Sequence, residues 1–339
     1  LNVSTSLIES EIYVIVVPTP LVENNKPDIS IVKSSISNII PILKKGDLII
    51  IESTCPVLTT EKMLQYIYEE RPELESLIYM AYCPERVLPG NILYELVNND
   101  RIVGGINKES SQKAKSFYQN FVKGEIYITN ARTAEMAKLT ENASRDVQIA
   151  FANELSIICD EQDIDVWELI SLANKHPRVN ILRPGIGVGG HCIPVDPWFL
   201  VQDYPADTRM IQAARATNLN ATQQVVDKII KYCKTYGTKT IISFGVAYKP
   251  DVSDTRESPA LTVINQLIDQ NHSVKIIDPL VNLGEKYDQI WDLDQINTKS
   301  IFVFLVNHAA FREILRQVNL SSIHYLDFCG ITHELNSDE

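Results

Sequence analysis

The chain has 339 residues, 45% of them hydrophobic and 22% charged, which is the composition of a globular protein large enough for two or three domains. A formal net charge of −12 and a pI near 5.1 exclude the basic classes that bind nucleic acids or anionic membranes. Apolar runs such as 12–17 are too short to span a bilayer, and six cysteines scattered without close pairs predict reduced thiols and a cytoplasmic protein.

The first part of the chain alternates between apolar, β-branched runs and amphipathic segments. Residues 12–17 read IYVIVV and are followed by two prolines, which predicts a strand buried on both faces of a parallel sheet. The alternation predicts a doubly wound α/β domain, in which ligands lie beyond the carboxyl ends of the strands. The predicted strands are 12–17, 47–52, 77–81, 101–104 and 125–129, and the predicted helices are 28–43, one after 53–56, and 109–121.

A long helix is predicted next, because residues 131–162 contain no Gly or Pro and their apolar positions follow helical spacing. Such a helix suits a spine between two domains or a dimer interface. Lys138, Asn142 and Arg145 lie at positions i, i+4 and i+7 and therefore share one face. The spacing alone is compatible with a solvated face or with a functional one.

The segment 183–199 reads RPGIGVGGHCIPVDPWF. Its glycines permit positive φ angles and close approach, and its prolines exclude a regular helix or central strand. A stiff loop that presents Cys192 as a nucleophile is therefore predicted, with Asp196 four residues later. The alternatives are a buried structural cysteine, a dinucleotide loop and a metal site. The last two are disfavoured because the glycines lack the flanking strand and helix, and His191 lacks partner ligands.

The α/β pattern restarts after this loop, which predicts a second doubly wound domain. In it, Lys249 and Arg256 follow a strand, which suits phosphate binding as well as two solvated cations. In the first domain, Pro18-Thr19 and Ser53-Thr54 also follow strands, where hydroxyls contact a cofactor or cap helices. The predicted helices are 166–173, 208–236 and 259–270, and the predicted strands are 240–245, 273–277, 301–306 and 325–327.

Four motifs make the chain similar to the UDP-glucose/GDP-mannose dehydrogenase family, most closely to its UDP-N-acetylmannosamine branch. They are CPERVLPG at 83–90, AEMAKLTENASRD at 134–146, NKHPRVNIL at 174–182 and VGGHCIPVDPWF at 188–199. The resemblance covers essentially the whole chain and implies two Rossmann-like domains joined by a long central helix. It implies an NAD-binding domain over 1–129, a central dimerisation and catalytic region over 130–236 and a UDP-sugar-binding domain over 237–339.

The resemblance also implies a four-electron, NAD-dependent oxidation of a sugar nucleotide's 6-hydroxyl to a carboxylate. Cys192 would capture the aldehyde as a thiohemiacetal and carry it on as a thioester. Lys138 and Asn142 would move protons and stabilise the oxyanion, while Asp196 or Glu85 would activate water. UDP-N-acetyl-D-mannosamine is the favoured substrate. UDP-N-acetylglucosamine, UDP-N-acetylgalactosamine, UDP-glucose and GDP-mannose are the alternatives.

Binding residues follow from the same motifs. The implied cofactor contacts are Thr19, Ser53, Thr54 and Thr60. The implied substrate contacts are Arg86, Val87, Lys138, Asn142, Arg145, His176, Arg178, Gly189, Tyr248, Lys249 and Arg256. His176 and Arg178 resemble residues that reach a neighbouring subunit's substrate, which implies a homodimer with shared active sites. NAD is the alternative partner of Arg256.

Members of this family begin with a strand, a GxGxxG loop and a helix that hold the NAD pyrophosphate, and this chain opens at Leu1 beyond them. We therefore expect an N-terminally truncated first domain that lacks its βαβ start and binds NAD weakly on its own. Two other functions stay open. They are a two-electron dehydrogenase of the hydroxyacid type, which needs no thiol, and an NAD-deficient sugar-nucleotide-binding fragment.

Overall fold

The computed structural model describes residues 3–87, 91–291, 300–316, 320 and 323–337. The chain divides into two compact units. The first comprises Leu1–Asn142 and Val195–Thr208, and the second comprises Ala143–Pro194 and Arg209–Glu339. The three-part domain division expected from the sequence stays a prediction.

The first unit contains a sheet with the strand order β1-β4-β5-β6-β7 and a short antiparallel pair, β2 and β3. Its strands are β1 (Ile12–Ile15), β2 (Leu21–Val22), β3 (Lys26–Pro27), β4 (Leu48–Ile51), β5 (Tyr79–Tyr82), β6 (Arg101–Gly105) and β7 (Ile126–Asn130). Its helices are α1 (Ser30–Ile39), α2 (Thr59–Glu70), α3 (Ile92–Asn98), α4 (Lys108–Tyr118) and α7 (Asp196–Asp203), with 3-10 turns at Glu23–Asn25, Ile40–Ile42 and Pro72–Leu74.

Strand β4 shows why this sheet is covered on both faces. All four of its residues are buried. Ile49 and Ile51 belong to a core cluster with apolar residues of α1 and α2, whereas Leu48 and Ile50 belong to another with residues of α4. Because alternate side chains of a strand point to opposite faces, two helical layers sandwich the sheet. The predicted doubly wound α/β class is confirmed.

Strand β1 departs from the prediction of burial on both faces. Tyr13 and Ile15 face the core, but Ile12 and Val14 are each 36% exposed. Among the described strands β1 pairs with β4 alone, so it is an edge strand. The expectation of full burial is therefore wrong for residues 12–17.

Strand β6 runs in the direction opposite to β5. Ala81 pairs with Gly105 and Tyr82 with Gly104 in antiparallel register, whereas β6 and β7 are parallel. The reversal places the amino end of β6 beside the carboxyl ends of β4 and β5. Ligands lie beyond these carboxyl ends in doubly wound sheets.

The second unit contains a parallel sheet in the order β10-β9-β8-β11-β12. Its strands are β8 (Thr240–Phe244), β9 (Ser273–Ile277), β10 (Asp288–Gln289), β11 (Ile301–Phe304) and β12 (His324–Asp327). Its helices are α6 (Val166–Ala173), α8 (Arg209–Tyr236), α9 (Pro259–Asp269), α10 (Ala309–Arg316) and α11 (Ile331–Ser337), with a 3-10 turn at Gly284–Lys286. Helix α5 (Ala131–Gln162) begins in the first unit and ends in the second.

The predicted bounds of α5, α6 and β9 are confirmed. The exclusion of a helix from 183–199 is wrong from Asp196 onward, because α7 begins there. Pro197 occupies the first turn of α7, where a proline costs no helical hydrogen bond. In the described part of the chain, no helix combines the length and apolarity needed to cross a bilayer.

Candidate active site

Glu85 and Lys138, two of the predicted catalytic residues, are hydrogen-bonded to each other in the first unit. The Lys138 ammonium donates to the backbone carbonyl of Glu85 at 2.9 Å. The Glu85 carboxylate accepts from the backbone N–H groups of Arg86 and Val87, at 2.6 and 2.9 Å, and from Arg101 at 3.2 Å. Because this carboxylate already binds three donors, Glu85 is held firmly beside the ammonium group.

Arg101 is a residue of this site that the sequence reasoning missed. Its side chain is 5% exposed, bridges Glu85 at 3.2 Å and Glu52 at 3.6 Å, and lies over the Tyr118 ring at 4.8 Å. The Tyr118 hydroxyl in turn donates to Glu52, and burial raises the pKa of that carboxyl. No local signal marks Arg101, because it reaches this edge only through the reversed direction of β6.

Asn142 and Asp196 form the second contact among the predicted catalytic residues. Asn142 Nδ2 donates to Asp196 Oδ2 at 2.5 Å. Asp196 is 3% exposed, and burial raises its pKa to about 6, although the Asn142 hydrogen bond and the Lys138 charge oppose the rise. A buried carboxyl that titrates near neutral pH suits a general base.

Cys192 lies in the second unit, where its thiol is exposed. The glycines before it allow close packing rather than flexibility. A Cβ on Gly189 would lie 2.6 Å from the Glu257 carbonyl oxygen and 2.9 Å from Tyr248 Cβ, and Gly190 has φ +85° beside the Tyr248 ring. The loop is therefore pressed against the segment 248–259, and Cys192 follows directly.

A chain of buried polar contacts fixes the start of this loop. Arg215 Nη1 donates to Asp146 Oδ1 at 2.6 Å, and Asn218 Nδ2 donates to the same oxygen at 2.8 Å. Asn153 donates to Asn218 at 2.9 Å and accepts from the Gly185 N–H at 2.8 Å. The sequence reasoning missed these residues, although their helical spacing on otherwise apolar faces was a usable signal.

A pocket of about 250 Å³ opens beside the loop in the second unit. The lining residues include Arg183, Gly185, Gly187, Tyr248, Lys249 and Phe328. Lys249 Nζ lies 5.7 Å from the centre of the Tyr248 ring. Arg256 is 67% exposed and forms an ion pair with Asp254, to which its Nε and Nη2 both donate. This contact lowers the pKa of the Asp254 carboxyl to about 2. The structure thus brings Gly189, Tyr248 and Lys249 into one region.

Of the remaining predicted substrate contacts, Val87 is half-buried and four are exposed, namely Arg86, Arg145, His176 and Arg178. Arg86 pairs with Glu141 at 2.9 Å. Arg145 is exposed and belongs to the second unit. His176 and Arg178 are exposed, and the Arg178 N–H donates to His176 Nδ1 at 3.3 Å. Their roles stay predictions. Among the described residues, no cluster of three or more His, Cys, Asp or Glu could hold a metal ion.

Comparison with known proteins decides the family. Residues 1–122 match the NAD binding domain of the UDP-glucose/GDP-mannose dehydrogenase family, 132–220 its central domain and 243–331 its UDP binding domain. The chain belongs to the UDP-glucose/GDP-mannose dehydrogenase family. It is accordingly an NAD-dependent UDP-sugar dehydrogenase, as the motifs implied.

Relatives within this family bear two different substrate names. A UDP-N-acetyl-D-mannosamine dehydrogenase of Campylobacter jejuni is 50% identical over 323 residues, which are 90% of this chain and 79% of that protein. An NDP-N-acetyl-D-galactosaminuronic acid dehydrogenase of Ralstonia nicotianae is 44% identical over 327 residues, 93% of this chain and 77% of that protein. The solved UDP-D-ManNAc dehydrogenase from Pyrococcus horikoshii has a TM-score of 0.86 at 37% identity, covering 95% of this chain and 78% of its own.

The four hydroxyls predicted to contact NAD in this UDP-sugar dehydrogenase differ in their surroundings. The Ser53 hydroxyl joins the ends of β1 and β4 by accepting from the Val17 N–H and donating to the Val17 carbonyl, both at 2.8 Å. Thr60 is fully buried and donates its hydroxyl to Glu135 at 2.7 Å. Thr19 and Thr54 are half-buried. Their position just after parallel strands fits a dinucleotide.

Proposed function

We propose that this dehydrogenase oxidises the 6-hydroxyl of UDP-N-acetyl-D-mannosamine to a carboxylate without releasing the aldehyde. The balanced reaction takes the sugar's primary alcohol, two NAD⁺ and one water to the carboxylate, two NADH and three protons. NAD supplies the oxidising power by accepting one hydride from C6 in each half-reaction. The remaining steps belong to side chains of this chain.

Cys192 is the proposed nucleophile, and its exposed thiol on a tightly packed loop is the observation that carries the proposal. The thiolate adds to the C6 aldehyde and gives a thiohemiacetal, which loses the second hydride to become a thioester. Water then cleaves the C–S bond and returns the thiol. A covalent intermediate explains why the chemistry needs a cysteine, because the half-oxidised sugar cannot diffuse away.

We assign the activation of water to Asp196 rather than to Glu85. The Glu85 carboxylate is already bound to two backbone N–H groups and to Arg101, so its proposed role is to support Lys138. Asp196 is buried and bonded to Asn142, with a pKa raised to about 6. Lys138 and Asn142 would stabilise the oxyanion that develops on C6 and its attached oxygen.

Ligand binding is divided between the two sheets in this proposal. Lys249 and Arg256 pair with the UDP diphosphate, and this role is supported by the position of Lys249 in the pocket and by the exposure of Arg256. On the cofactor side, Thr19 and Thr54 are the hydroxyls we assign to NAD, because Ser53 and Thr60 already bond within the fold.

We further propose that the protein is a cytoplasmic homodimer whose subunits share active sites through His176 and Arg178. Large apolar side chains on helices of the second unit support a subunit interface: Phe151 is 54% exposed, Leu172 62% and Leu219 61%. The molar mass in solution tests the assembly, and a monomer at micromolar concentration would contradict it.

The decisive experiment measures stoichiometry. With UDP-N-acetyl-D-mannosamine limiting, the wild type should form two NADH per sugar consumed, and the product should be the uronic acid. Cys192→Ala should form no acid, whereas Cys233→Ala, a buried thiol outside the site, should retain the stoichiometry. Acid formation by Cys192→Ala at the wild-type rate would refute covalent capture, and one NADH per sugar would favour a two-electron dehydrogenase.

The sugar itself is tested by competition. The relative from Ralstonia nicotianae makes a galactosamine-type substrate the specific alternative. We expect kcat/KM to be highest for UDP-N-acetyl-D-mannosamine, compared with the glucosamine and galactosamine epimers under the same conditions. A higher value for the galactosamine epimer would transfer the assignment to that substrate.

A further inference from the structure

A buried carboxylate ties together three strand ends in the second unit. Asp278 follows β9 and is fully buried. Its Oδ1 accepts from the N–H groups of Leu280 and Val281, at 2.9 and 3.0 Å, and its Oδ2 accepts from the Val246 N–H at 2.8 Å. Burial alone would raise the pKa of Asp278, but these hydrogen bonds and that of His308 leave it lowered.

His308 binds the same carboxylate and is also fully buried. Its Nε2 lies 3.2 Å from Asp278 Oδ2, and its Nδ1 lies 2.9 Å from the backbone nitrogen of Asp251. A backbone N–H can only donate, so Nδ1 must present its lone pair and Nε2 must carry the proton. The two partners therefore select one tautomer of a neutral imidazole.

Asp251 returns a bond to the segment that carries His308. Its Oδ1 accepts from the Ala309 N–H at 2.9 Å and lies 3.9 Å from His308 Nδ1. Asp251 has φ +59°, a left-handed conformation that contacts of this kind must hold in place. This strained residue comes two positions after Lys249, which lines the pocket.

We propose that His308 is a positioning residue that sets Lys249 for the substrate diphosphate, acting through the backbone of Asp251. The imidazole links the Asp278 carboxylate, which is already bonded at the ends of β8 and β9, to a turn that would otherwise relax. This inference rests on the proposed binding of UDP by the second unit. The competing role for a buried histidine is packing alone, against Phe311 at 5.3 Å between ring centres.

Two amide substitutions test the roles of the two ring nitrogens of His308 one at a time. His308→Asn retains an acceptor near Nδ1 for the Asp251 N–H, whereas His308→Gln retains a donor near Nε2 for Asp278 and leaves that N–H unbonded. The probe is UDP, titrated calorimetrically into the full chain without NAD. We expect His308→Asn to bind UDP within about threefold of the wild type and His308→Gln to bind about tenfold more weakly, the value of one hydrogen bond.

Controls distinguish positioning from loss of folding. Phe311→Leu perturbs the packing beside the ring and should lower the unfolding temperature without weakening UDP binding. In a Lys249→Met background, His308→Gln should add little further loss, because both changes remove the same contact. Wild-type affinity in His308→Gln, or fully additive losses with Lys249→Met, would overturn the positioning role alone. Failure of the wild type to bind UDP would overturn the proposed function and this inference with it.

Discussion

Removing Asn142 should shift the pH at which Asp196 becomes an active base. Asn142 donates to Asp196 at 2.5 Å, and the carboxyl is 3% exposed, so bulk water cannot readily replace the lost donor. A hydrogen bond to a charged group contributes ~1.5–3 kcal/mol, and one pKa unit corresponds to ~1.4 kcal/mol. In Asn142→Ala, the ascending limb of kcat/KM should therefore move upward by about one to two pH units.

The assay is the pH profile of kcat/KM for UDP-N-acetyl-D-mannosamine at saturating NAD. The wild-type limb should have its midpoint near the pKa of Asp196, about 6. Asp196→Asn should abolish this limb. Gln148→Ala, an exposed amide on the same helix, should leave it in place. An unmoved midpoint in Asn142→Ala, or a limb that persists in Asp196→Asn, would refute the reasoning.

The same proton affects stability, with a sign fixed by its pKa. Burial raises the pKa of Asp196 from 3.8 to about 6. Between these two pH values the folded protein holds a proton that the unfolded chain has lost. Stability from this group is therefore lost as pH rises from about 4 to about 6, by roughly 3 kcal/mol. The unfolding temperature of Asp196→Asn minus that of the wild type should therefore be larger at pH 7.5 than at pH 4.5. An equal difference at both pH values would contradict this.

Two further predictions concern buried ion pairs. Arg101→Met should leave the carboxylates of Glu85 and Glu52 without their shared counter-ion, and we expect it to lower both kcat, at least tenfold, and the unfolding temperature. Adding Glu52→Gln should recover part of the lost unfolding temperature. An Arg101→Met variant that is active and fully stable would refute the role of this cluster. Arg215→Met should destabilise the protein by about 3–5 kcal/mol by stranding Asp146, which is fully buried. Urea unfolding measures that loss. The double variant Arg215→Met with Asp146→Leu should recover part of the free energy of unfolding, because no charge is then left buried without a partner.

Local patterns predicted the elements whose formation depends on local properties. Helix α5 was bounded correctly because its apolar period is unbroken by Gly or Pro over 131–162, and β9 because a short β-branched run is flanked by polar residues. The sequence does not predict helix α7, because prolines such as Pro194 and Pro197 are typical of breaks in a helix. Pro197 instead lies in the first turn of the helix, where the missing N–H has no consequence.

The direction of a strand and the accessibility of its faces were beyond local prediction. A strand that is covered on both faces is apolar whatever the direction of its neighbours, so nothing in residues 101–105 indicated that β6 reverses. The apolar run of residues 12–17 likewise could not reveal an edge position, because it does not show how many neighbouring strands are present. Of the candidate site, the motifs supplied Glu85, Lys138, Asn142 and Asp196, but Arg101 and His308 required the fold.

The reversal of β6 has a consequence for how variation in this protein is interpreted. Because β6 runs opposite to β5, its first residue, not its last, lies beside the carboxyl ends of the neighbouring strands, where ligands bind. Position 101 therefore deserves the scrutiny usually reserved for residues that follow a strand, even though it lies outside every motif that identifies the family. Surveys confined to those motifs would class a change there as a neutral scaffold substitution and overlook a carboxylate pair losing its counter-ion.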